Sequence, residues 1–155
     1  MKKIMLILCC CLVVFAGRTQ IDTTAWPEQR KELLQLLHTS GPGKEKSCGD
    51  LVAVGPKGDL SLSRQQWIEA QKKQQVVFKS VRVVPGSEIV RVYDKTCGVA
   101  NFLLEVFLVV AGKDVTIKVR RLEVYHYTGT GWCMVAGQGT EVDERIFPVE
   151  EIRTP

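Results

Sequence analysis

"VRRLEVYHYTGTGWCMVAGQGT", residues 119–140, decides how this chain is read. Two runs rich in β-branched and aromatic residues flank "TGTG", which reads as the loop of a β-hairpin. Val115, Ile117 and Val119 share one face of the first strand, whereas Leu122 and Val124 have the opposite parity. A straight strand cannot bury both sets on one side. One extra residue at Arg120–Arg121 would reconcile them; that is a bulge, and bulges bend strands. A bent sheet closing over helices makes a cone with an inner hollow. In the second strand Trp132, Met134, Ala136, Gln138 and Thr140 share a face, expected to point inward. A buried amide without a partner costs about 1–3 kcal/mol. Gln138 is therefore expected to bond to Arg121, Glu123, Tyr125, backbone, water or a ligand.

The rest of the chain supplies helices first and strands afterwards. Residues 23–38 read as a helix, with Pro27 in the first turn and an apolar face of Leu33, Leu34, Leu36 and Leu37. "TSGPGKEKSCG" is a loop, and "DLVAVGPKGD" is a short strand ending in a Gly-Pro turn. In "SRQQWIEAQKK", Ser63 and Gln66 form a capping box, and Trp67, Ile68 and Gln71 face inward. Burying Trp67 contributes on the order of 2–3 kcal/mol. After Lys73 the pattern is strands only: "VVFKSVRVV", "EIVRVYD", "CGVANFLLEVFLVV" and the hairpin above, with Asp94 at a turn. This is an α+β layout, with an antiparallel sheet packed on N-terminal helices. The strand at 101–110 is apolar on both faces. Its outer side must therefore be covered by the tail, where Ile146, Phe147, Val149 and Ile152 lie, or by a second subunit.

Composition fits one ordinary domain: 155 residues, 45% hydrophobic and 25% charged. Lys2–Lys3 followed by an apolar run to Ala16 reads as a secretory signal, cut after Val14-Phe15-Ala16, and that run is too short to span a bilayer. The expected organisation is a signal at 1–16, a linker at 17–22, a domain at 23–142 and a C-terminal extension at 143–155. The chain is therefore expected to be exported, periplasmic or secreted. Lipidation is the minor alternative, because Leu8 before Cys9 is bulky and Cys10 or Cys11 would need a very short signal. Removing Lys2 and Lys3 leaves 19 basic against 17 acidic residues, +2, too weak a field for a nucleic-acid binder. Beyond the signal stand Cys48, Cys97 and Cys133; three is odd, so the choice is one bridge with a free thiol or small buried strand residues, the latter preferred. With only His38 and His126 and no paired-cysteine motif, no metal site is expected, and no cofactor motif is present; "GPGK" at 41–44 lacks the rest of a phosphate loop.

"DLVAVGPKGDLSLSRQQWIEA", "IVRVYDKTCGVANFLLEV" and "VRRLEVYHYTGTGWCMVAGQGT" together resemble the nuclear transport factor 2-like superfamily. The nearer likeness is to its SnoaL-like and ketosteroid-isomerase-like small domains, and it covers roughly residues 50–140. The resemblance implies a cone-shaped, cystatin-like α+β fold with a curved sheet, an interior pocket and frequent dimerisation through the sheet's outer face. Such domains usually begin with a longer helical lid than residues 23–38 supply. Their catalytic members use a pocket Asp or His base beside an oxyanion donor. No such set is found here: Asp94 is at a turn and His126 at a strand end, so the catalytic residues are unknown.

Three functions remain. The first is binding of a small organic molecule, with Arg64, Trp67, Arg121, Glu123, Tyr125 and Gln138 as pocket candidates; arginine could hold a carboxylate and the aromatics could flank an apolar body. The second is a proton-transfer enzyme of isomerase, lyase or hydrolase type, for which Glu105 and Glu123 are the strand carboxylates, and Tyr93 and Tyr125 possible donors. Glu105 must be paired with an arginine or face an outer seam. Arg121, two residues from Glu123 on the same face, would pair with it and argue against a neutral general acid. The third is a homodimeric association module using the outer face around Phe107 and Val109. A carboxylate inside the cone with a donor about 3 Å away favours chemistry; an apolar pocket with only Gln138 and an arginine favours binding.

Overall fold

The computed structural model describes residues 25–39 and 47–146. The signal, the linker and all of the tail beyond Ile146 lie outside the described residues. Among the described residues two helices and seven strands follow in the order α1 (Pro27–Thr39), β1 (Ser47–Val54), β2 (Leu60–Ser61), α2 (Arg64–Lys73), β3 (Val76–Val83), β4 (Ile89–Tyr93), β5 (Cys97–Val110), β6 (Lys113–Tyr127) and β7 (Trp132–Val142). The strands make one sheet in the order β2-β1-β7-β6-β5-β3, with β4 also pairing β5. Adjacent pairs are antiparallel except β1–β7, which is parallel. The first strand therefore enters the sheet beside the last.

Local chemistry sets the element ends. The Ser63 hydroxyl accepts from the Gln66 N–H at 3.1 Å, and the Gln66 side chain reaches back to the Leu62 N–H at 2.8 Å, so α2 starts at a reciprocal cap. Asp94 and Lys95 both have positive φ, 48° and 62°, and close the β4–β5 hairpin as a tight turn. The first helix begins at Pro27, later than the sequence pattern suggests; Trp26 before it has φ 57° and so stands outside the helix.

The bend is not where the sequence pattern puts it. β5 and β6 stay in one register from Cys97–His126 to Val110–Lys113, so Arg120–Arg121 is no bulge on that side. The register breaks instead between β6 and β7, where Val135 is the extra residue, and between β3 and β5, where Lys79 is. Strand β6 thus never changes sides. Val115, Ile117, Val119, Arg121, Glu123 and Tyr125 all line the inside, and Leu122 is 44% exposed on the outside. The polar residues, not the extra residue, account for the broken apolar pattern. In β7 the bulge reverses parity after Met134. Gly137, Gly139 and Glu141 then oppose Glu123, Arg121 and Val119. Gln138 opposes Leu122 and is exposed, contrary to its expected inward position.

Two apolar clusters fill the concave side unequally. Leu33 and Leu37 of α1 pack with Val90, Val92, Ala100, Phe102, Tyr125 and Trp132. Gly98 permits this: a Cβ there would stand 2.6 Å from Leu33 Cδ2 and 3.1 Å from the Trp132 ring. The second cluster, around Val106, Leu108 and Val119, is built from strand residues of β3, β5 and β6. Helix residues pack on the first cluster only; the second is buried by strand residues alone, and no residue of α2 is itself buried. Cys48 and Cys133 form a disulfide joining β1 to β7, and Cys97 is free; the preference for two reduced buried cysteines is corrected accordingly.

Candidate functional site

The concave side holds a cavity of about 720 Å³, within the range of small-molecule sites. Strands β3, β5 and β6 supply its floor, mostly valine, leucine, isoleucine and phenylalanine. Trp67, Gln71 and Gln74, one face of α2, form a wall, and the β1–β2 loop adds Gly55, Pro56, Lys57 and Asp59. Alternate residues of β6 then place Arg121, Glu123 and Tyr125 side by side toward one end.

Those three form one polar unit. Arg121 Nε and Nη2 donate to Glu123 Oε1 at 3.0 and 2.6 Å. The Tyr125 hydroxyl donates to Glu123 Oε2. The Glu123 side chain is 3% exposed and that of Arg121 16%, so the pair is shielded from water. A carboxylate accepts only, and all three donors around it give N–H or O–H. Burying an isolated charge here would be prohibitive; pairing in good geometry is what makes Glu123 tolerable among apolar strands. Room for the guanidinium comes from β7: a Cβ on Gly137 would lie 3.0 Å from Arg121 Nη2, and one on Gly139 3.5 Å from Nη1.

The sequence-derived candidates divide by parity. Arg121, Glu123, Tyr125 and Trp67 lie on the cavity wall. Arg64 lines a separate cleft of about 30 Å³ behind Arg121, with Ser47, Leu51, Ala53, Trp67 and Met134. Gln138 is outside, exposed on the convex face. Glu105 is on that face too, paired with Arg82 at 2.7 Å, as the arginine alternative for it expects. Tyr93 is 42% exposed, His126 is exposed, and Asp94 sits in its turn; none lines the cavity. Sequence reading missed Gly137 and Gly139, whose "GQG" spacing two apart on one face was their signal. Among the described residues no cluster of three His, Cys, Asp or Glu has the spacing of a metal site. Nor, among them, is any helix long and apolar enough to cross a membrane.

The curved sheet, the helices on its concave side and the cavity between them define a nuclear transport factor 2-like, cystatin-like α+β fold. Solved structures bear this out. An NTF2-like protein from Cytophaga hutchinsonii is 17% identical, with 75% of this chain and 94% of that one covered and a TM-score of 0.54. An NTF2-like protein of unknown function from Prochlorococcus is 12% identical over 76% and 97%, with a TM-score of 0.60. A candidate ketosteroid isomerase from Parabacteroides distasonis is 18% identical over 73% and 84%, with a TM-score of 0.51. No protein-family model matches the sequence, and no curated protein matches it. At these identities the likeness establishes the fold, and function rests on the site.

Proposed function

We propose that this chain is an exported binding domain whose cavity takes a small organic molecule without transforming it. One observation carries the reading. Glu123, the buried carboxylate of the cavity wall, is spent on its neighbours: both its oxygens take donors, and Tyr125 gives its hydroxyl proton to it, while His38, Asp59 and Glu141, which also line the cavity, are not buried. What remains facing the cavity is chiefly an apolar surface suited to holding a ligand. Native mass spectrometry of the protein purified from its own host tests this. A non-covalent organic adduct is expected; a protein that is empty at saturating expression of the host's metabolites counts against it.

A proton-transfer enzyme is the second reading. Glu123 is a carboxylate inside the cone with a tyrosine hydroxyl at bonding distance, the arrangement that favours chemistry. The resemblance in fold to a candidate ketosteroid isomerase is compatible with it. Once an adduct is identified, incubating it with the protein in D₂O separates the two readings. Unchanged ligand without deuterium uptake supports binding alone, and exchange that disappears in Glu123→Gln supports catalysis.

Export is supported by the basic-then-apolar start of residues 1–16 and by the Cys48–Cys133 bridge, which suits an oxidising compartment. N-terminal sequencing of the cell-free or periplasmic fraction is expected to begin at Gly17. A homodimer through the convex face is supported by an apolar alignment there. There the register aligns Val52, Ala136, Val124 and Val99 across four strands, and Leu122 lies beside them. Leu122 and Val52 are each more than two-fifths exposed, which an isolated domain has little reason to maintain together. Light scattering should give a dimer mass that Leu122→Glu halves; a monomer at high concentration removes the seam.

A further inference from the structure

We infer that the cavity's ligand is a long, unbranched amphiphile, an aliphatic chain with one oxygen-bearing head, and not a compact ring system. This rests on the binding reading above and narrows it to a ligand class.

Shape is the first argument. The cavity is lined along β6 from Val115 to Tyr125 and along β5 from Phe102 to Val110. At about 3.3 Å per residue these tracks run roughly 25–33 Å before curvature. A compact hollow of 720 Å³ would be only about 11 Å across. The space is therefore a groove, two to three times longer than a rounded pocket of equal volume. A fused-ring ligand would leave much of its floor uncovered.

Polarity is the second. The Arg121–Glu123–Tyr125 unit lies toward one end of the β6 track. Beyond Val119 the floor is apolar on three strands, with Val106, Leu108, Ile117 and Val115 facing Phe78 and Val81. That apolar stretch is the cluster without helical cover. On the groove side of α2, Trp67 packs against the first cluster, and what is left beside the second is Gln71 and the C-cap residue Gln74. Val106, Leu108 and Val119 are already buried, but Phe78, Val81, Val115 and Ile117 around them keep partial exposure, and a chain lying along them would remove that area from water, the dominant favourable term for such surface.

The head group is the third. Glu123 takes Arg121 Nε and Nη2, while Nη1 carries no hydrogen bond among the described residues. Its N–H groups remain for a ligand oxygen, which an acid, alcohol or ester each supplies.

Calorimetric titration of the full chain with saturated fatty acids and primary alcohols of increasing length, beside a steroid as the compact probe, tests the assignment. Affinity is expected to rise about fourfold per added methylene and then level off once the groove is full. Ile117→Trp should move that levelling to shorter chains without weakening the shortest ones. Should that variant not fold, Val115→Phe, at the groove's end, offers the same comparison, and the length series on the unsubstituted protein stands by itself. Affinity indifferent to chain length, with the steroid bound more tightly than any chain, overturns the linear-ligand assignment and leaves the binding reading intact. No binding of chains or steroid also overturns the linear-ligand assignment, while the binding reading is decided by the native mass spectrum.

Discussion

Gly137 stands opposite Glu123 across the β6–β7 pairing, and the space its missing side chain leaves is occupied by the Arg121 guanidinium. A Cβ at this position would lie 3.0 Å from Nη2 and 3.3 Å from Met134 Sδ. The arginine is confined on that side, and on the other it is held by Glu123. Gly137→Ala is therefore expected to displace the guanidinium and destabilise the fold by about 1–3 kcal/mol, the usual range for overpacking. Urea unfolding followed by tryptophan fluorescence checks the value; a change within error would show that Arg121 has another place to go.

The Arg121–Glu123 pair supplies a second prediction. Removing one partner of a buried, hydrogen-bonded pair leaves the other charge uncompensated, at a cost of about 3–5 kcal/mol. Glu123→Leu alone should fall in that range, whereas Arg121→Met combined with Glu123→Leu should recover most of the loss. A double-mutant cycle in denaturant measures the coupling. Additive single effects would mean that the two side chains do not depend on each other.

Tyr125→Phe keeps the ring in the first apolar cluster and deletes only the hydroxyl that donates to Glu123. Hydrogen bonds to charged groups contribute about 1.5–3 kcal/mol, so a loss of that order is expected by the same unfolding assay. A neutral substitution would place the carboxylate's second oxygen in contact with water instead.

The Cys48–Cys133 bridge closes a sequence separation of 85 residues. The chain-entropy model gives about 4–5 kcal/mol for a closure of that length. Reduction, or Cys48→Ala with Cys133→Ala, should lower the unfolding midpoint accordingly, while Cys97→Ser leaves it unchanged. Alkylation mass spectrometry of the native protein should label one thiol per mature chain; three would mean that the bridge does not form.

The candidate site was legible in part, and the division has a cause. Arg121, Glu123 and Tyr125 share parity on a strand, so their common face follows from the two-residue repeat wherever no bulge intervenes. Their pairing followed once the face was known. Gln138 was misread because its side depends on Val135, and an extra residue in a strand carries no mark of its own. The apolar switch from Val119 to Leu122 suggested a bulge in β6, when β6 was carrying an ion pair inside and Leu122 outside.

Sequence alone determined the pieces: strands by alternation, the start of α2 by Ser63 and Gln66, the β4–β5 turn at Asp94–Lys95, and an α+β cone by the order of helices and strands. These depend on interactions a few residues apart. Tertiary structure decided which way each strand faced after its bulge, that Cys48 reaches Cys133, that β1 runs parallel to β7, and that helix residues pack on only one of the two apolar clusters. Each of those depends on which segments meet across the sheet, and contacts between distant segments are set by the packing of the whole chain, not by any local pattern.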